Sequence, residues 1–203
     1  MLKKFKLLFV IASLSITLSL MSNTYSRYVA SSNGNVEIEF AKWQILVDNN
    51  DITTNANSNI TLEPVIEKNE NVADNKIAPA SVGYFDIEID PTNVDVSFLY
   101  NIDLDIANND ISDLLITKYA IVPENYLEGD ALEYQYLTEN KITGSNIYTD
   151  GGFKKFTVRV FFQWYEGDGE TMNNEQDTQA GIDAANNSTK FTINANINFE
   201  QII

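Results

Sequence analysis

The sequence predicts an all-β protein, a two-sheet sandwich of jelly-roll or immunoglobulin-like kind, behind a cleaved N-terminal signal peptide. Three observations lead there. Apolar and polar residues alternate at period two in run after run, clusters of Asp, Asn, Pro and Gly separate the runs, and no helix-period stripe follows the first 26 residues. The clearest run is residues 94–106, VDVSFLYNIDLDI. There Val94, Val96, Phe98, Tyr100, Ile102, Leu104 and Ile106 take one face and acidic or amide residues most of the other.

The leader comes first. Lys3, Lys4 and Lys6 precede LLFVIASLSITLSL (7–20), an uncharged run too short for the ~20 residues of a bilayer-spanning helix, so it predicts a signal peptide over residues 1–26. Small residues at −3 and −1 place cleavage after Thr24 or Ser26, with Ser26 preferred. Residues 27–203 then form one sandwich domain, with 27–35 a free or donated N-terminal segment.

The strands follow in order. VEIEF (36–40) puts Val36, Ile38 and Phe40 on one face, and WQILV (43–47) continues the run into the turn Asp48-Asn49-Asn50-Asp51. A short strand about Ile60 and Leu62 ends at Pro64. After a polar loop over 67–78, SVGYFDIEID alternates through Phe85, Ile87 and Ile89, and Asp90-Pro91-Thr92-Asn93 reads as the turn of a hairpin with 94–106. Residues 113–124 and 131–139 read as edge strands, although the first also fits a helical turn followed by a strand.

KKFTVRVFFQWY (154–165) reads as a central strand, with Phe156, Val158, Val160, Phe162 and Trp164 inward. A long polar connection, 166–189, holds one turn of helix near Ala180–Ala185. Phe191, Ile193, Ala195, Ile197 and Phe199 face inward in the last strand.

Composition narrows the function. With no histidine and no cysteine the chain has no Ser-His-Asp triad, Cys-His pair, HExxH zinc site or disulfide framework, and it is read as a non-enzyme with no required cofactor. Carboxylates are abundant, but no pair stands out as the two-carboxylate set of a glycosidase. Loss of the leader lysines takes the net charge from −16 to −19, which disfavours nucleic acid and anionic lipid as partners and leaves membrane contact to the signal before cleavage. Asp48, Asn50 and Asp51, and separately Asp168, Glu170 and Asp177, offer oxygen ligands for weak calcium binding, without the DxDxDG spacing; both also fit as polar turns. Trp43 and Trp164 fit a carbohydrate platform only if Trp164 leaves its inward parity; core packing is the expectation there.

The order of segments carries a resemblance. A lysine-led signal, then Thr24-Tyr25-Ser26-Arg27-Tyr28, FAKWQILV, IAPASVGYFDIEI and a terminal FTINANINFEQ resemble the TasA and camelysin group of secreted Firmicutes proteins, exported through a SipW-type signal peptidase. The likeness covers most of the chain as a pattern of segments, with Ala80 and Ser81 where the group commonly has glycine. It implies an extracellular sandwich that coats the cell surface or polymerises into biofilm-matrix fibres, alone or with other surface and matrix proteins. It further implies that the mature N-terminal segment, here Tyr28, Val29 and Ala30 within 27–35, completes a sheet of the next subunit. The same segment also fits a free tail. The peptidase activity attached to camelysin has no histidine here to carry it, and a monomeric adhesin or ligand-binding sandwich using the 166–189 connection is the alternative function.

Overall fold

The structure, a computed structural model, describes residues 2–24, 38–54, 60–107, 113–127, 129–166, 174–187, 190 and 192–202. Two compact units divide the chain, Met1–Glu39 and Phe40–Ile203. In the first, α1 spans Leu2–Thr24. Its apolar side chains from Phe5 to Leu20 are exposed, and no helix among the described residues is long and apolar enough to cross a membrane.

The second unit contains two antiparallel sheets, as an all-β sandwich requires. The larger sheet orders its strands β2 (Asn50–Asp51), β1 (Trp43–Val47), β4 (Val82–Val94), β9 (Phe156–Trp164), β6 (Leu114–Pro123) and β7 (Tyr134–Tyr136). In it β3 (Pro64–Ile66) shares one side of β4 with β1. The smaller orders β10 (Thr192–Gln201), β5 (Phe98–Ala107) and β8 (Lys141–Asn146). Residues at period two supply the core between them: Ile45 and Val47, Ile87 and Ile89, Phe98 and Ile102, Ile142, Val158 and Val160 are all fully buried. Phe98 links the layers, packing edge-on against Trp43 at 6.3 Å and Phe153 at 5.1 Å and tilted on Phe199 at 5.9 Å.

The expected hairpin between 81–89 and 94–106 does not form. β4 runs unbroken to Val94 and pairs with β1 and β9, while β5 lies in the other sheet. Pro91 survives inside a strand because it sits in a bulge: Asp90 pairs with Leu46 and Asn93 with Gln44, so Pro91 and Thr92 together oppose Ile45. The Asp90 carboxylate fastens the bulge by accepting from the Thr92 N–H at 3.0 Å and its hydroxyl at 2.6 Å.

Other expectations shift as well. Residues 38–42 form no strand. Pro64 opens β3 at the side of β4 instead of ending a strand about Ile60 and Leu62. β6 is interior, between β9 and β7, so of the two expected edge strands only β7 is one. β9 is central, as its pattern predicts, with Trp164 only 6% exposed in the core.

The 166–189 connection contributes a full helix, α2 (Asn174–Asn187), instead of one turn. Glu175 and Asp177 in its first turn suit the N-terminal dipole, and Ala180, Ala184 and Ala185 favour its continuation. Asp177 also accepts the Trp164 indole N–H at 3.0 Å.

Candidate functional site

The two sheets treat their edges differently. The larger sheet ends in β2 and β7, strands of two and three residues, which is how natural sheets blunt an edge. The smaller sheet ends in β8, six residues long, and in β10, ten residues long, each paired on one side only among the described residues.

The direction of the free backbone groups follows from the ladder. The Ile202 N–H bonds the Ser97 carbonyl at 2.9 Å, so in the antiparallel register even-numbered residues of β10 bond β5. Ile193, Ala195, Ile197, Phe199 and Gln201 therefore point N–H and C=O outward. Nothing in the strand discourages a neighbour: it has no proline, no glycine and no lysine, and its one charge is Glu200. Its outer side chains include the row Asn194, Asn196, Asn198, and its inner ones, Ile193 to Phe199, are half-buried against the core.

Ahead of β1 stands the complementary feature. Ile38 and Phe40, which alternation assigned to a strand face, are 79% and 95% exposed. Burying such side chains is worth about 1.5–3 kcal/mol each, and the strand-like run leaves that gain unused.

The expected cleavage residue Ser26 and the candidate assembly residues Tyr28, Val29 and Ala30 lie outside the described residues. So do Asp168 and Glu170 of the second calcium candidate, whereas Asp177 is engaged by Trp164. The first candidate is a turn. Asp48 and Asn49 both take left-handed φ, 46° and 63°, which these two residue types tolerate, and they join β1 to β2 as a two-residue hairpin loop.

Both Asp51 oxygens are used locally. One accepts from Gln44 at 2.9 Å and the other from the Thr53 N–H at 2.9 Å and hydroxyl at 2.5 Å, so Gln44 and then Thr53 hold the carboxyl well below the usual carboxylate range. Asp48 goes the other way, raised chiefly by burial, and its Oδ2 has no partner. No group of three or more metal-ligating side chains gathers among the described residues.

Trp43 and Trp164 do not make a shared platform; Trp164 is in the core and Trp43 packs edge-on against Phe98. Sequence reasoning found β10 as a strand but missed its open edge, because pairing partners are not a local property. No protein-family model and no curated protein matches the chain.

Proposed function

We propose that this chain is an exported, non-enzymatic structural protein that builds extracellular matrix fibres or a cell-surface layer by adding strands between copies. The long edge of β10, unpaired on its outer side among the described residues, carries this reading. An extended segment laid along it gains a row of main-chain hydrogen bonds and sets alternate side chains against the half-buried face of Ile193 to Phe199. The segment before β1 is the donor in this account. Tyr28, Ala30, Val36, Ile38 and Phe40 share one parity, and the last two are solvated in the single chain.

The lysine-led leader directs export and is removed in this reading, which is why the TasA and camelysin resemblance fits it. The acidic surface keeps single copies apart until assembly. The peptidase activity of camelysin is not carried over, because the chain has no histidine to hold the metal of an ordinary metallopeptidase.

Electron microscopy and sedimentation of the purified chain at rising concentration test the proposal. Fibres or sheets that vanish on deletion of residues 27–40 support it. Particles that stay monomeric throughout, or assemblies indifferent to the deletion, contradict it.

A further inference from the structure

The mismatch between a broad sheet and a three-stranded one leaves a second opening on the side away from β10. Beyond β8, Ile121 and Pro123 at the end of β6 stay exposed among the described residues, and a cleft of about 820 Å³ lies there, within the ~300–1,000 Å³ usual for small-molecule sites. Its floor is aromatic: Tyr100 and Phe156 tilt together at 5.6 Å, with Tyr119 and Phe153 beside them.

Tyr100 reaches the cleft because of Gly144. These two are register partners on β5 and β8, and a Cβ at Gly144 would stand 2.2 Å from Tyr100 Cζ and 2.3 Å from its hydroxyl oxygen. The absent side chain thus lets the ring lie across β8. The hydroxyl it delivers makes no hydrogen bond among the described residues, although Tyr100 is only 8% exposed.

Around that floor the groups are mostly neutral and able both to donate and to accept. The Tyr119 hydroxyl and Gln135 are already hydrogen-bonded to each other at 2.5 Å, and Asn125, Asn146, Thr143 and Ser145 line the walls. Lys155 is tied to Asp90 at 3.0 Å, whereas Lys154 forms no ion pair among the described residues and stands at the cleft with its charge unmatched. Glu124 is the one carboxylate in the lining, so the paired acid groups that glycoside cleavage needs are not assembled there.

We propose that this cleft binds a pyranose unit of an oligosaccharide, its apolar face on the Tyr100 and Phe156 rings and its hydroxyls on Tyr100, Gln135 and the wall amides. A fatty ligand would strand those polar groups, and a polyanion would meet the field of a chain of net charge −16. A sugar ring has both the flat apolar faces and the hydroxyl rim that the lining matches. The inference is independent of assembly, because the cleft is complete in one copy.

The test is a titration of the labelled full chain, followed by NMR, with three neutral probes: the hexamer of N-acetylglucosamine, cellohexaose and mannohexaose. At least one is expected to shift resonances of Tyr100, Gln135 and Phe156 and to leave β10 unmoved. Tyr100→Phe keeps the ring and removes only the unpartnered hydroxyl. It is expected to leave thermal stability unchanged and to weaken that binding about ten-fold, the scale of one hydrogen bond. The proposal is overturned if no probe shifts these resonances or if Tyr100→Phe binds as tightly as the parent.

Discussion

Asp86 and Arg159 face each other across the β4–β9 ladder and join through two parallel hydrogen bonds, Nε to Oδ1 and Nη2 to Oδ2, each 2.8 Å. The Arg159 guanidinium also lies 4.1 Å from the centre of the Tyr84 ring, so one side chain forks to a carboxylate and stacks on an aromatic face. Lysine keeps the charge but not the planar fork. Arg159→Lys is expected to lose about 1 kcal/mol, a figure reduced for the half-exposed Asp86, read as a lower urea midpoint at unchanged slope. A midpoint equal to the parent would mean that the pair acts as a point charge alone.

Acid should weaken the fold through Asp90. Burial pushes this carboxyl up, but the Thr92 hydroxyl and N–H and the Lys155 ammonium outweigh it and leave it below its ordinary value. A carboxyl depressed in the folded state contributes stability that is fully present above its unfolded value of about 3.9 and fades as pH falls through the folded one. Melting temperature measured from pH 6 to pH 2 should therefore drop mainly below about pH 4. Asp90→Asn should be less stable at pH 6 and show a shallower fall; a parallel fall in both proteins would remove Asp90 as the cause.

Core and outlying apolar residues should separate cleanly. Ile87 is fully buried, so Ile87→Ala is expected to cost about 2–5 kcal/mol and lower the melting temperature by roughly 2–4 °C per kcal/mol. Phe40 is 95% exposed, so Phe40→Ser should change the stability of the single copy by no more than about 0.5 kcal/mol while raising the concentration at which assemblies form. Equal losses in both variants would show that Phe40 is packed in the single copy after all.

Much of this fold could be read from the chain, and the misreadings have physical causes. The alternation from Val94 to Ile106 is real, but it spans two sheets: the chain turns a corner at Asp95–Ser97, and Val94, Val96 and Phe98 keep one parity because both sheets face the same core. Parity alone cannot reveal such a corner. β6 looked ambiguous because Ile116 pairs with Phe162 and Lys118 with Phe161, so a bulge at Thr117 shifts the pattern mid-strand.

The cleft was the least legible feature. It depends on Gly144 meeting Tyr100 across a ladder, at a sequence separation no short pattern spans. The Asp48–Asp51 turn was legible because its residue types specify its backbone.

The central claim is that β10 is an edge prepared for another strand, and Ala195→Pro tests it most directly. Ala195 points its N–H away from β5, so proline there removes a free-edge donor without costing a hydrogen bond of the β10–β5 ladder. Sedimentation velocity with electron microscopy should find the parent chain polymerising and the variant folded but monomeric at the same concentration. Polymers of equal length from both proteins would contradict the claim.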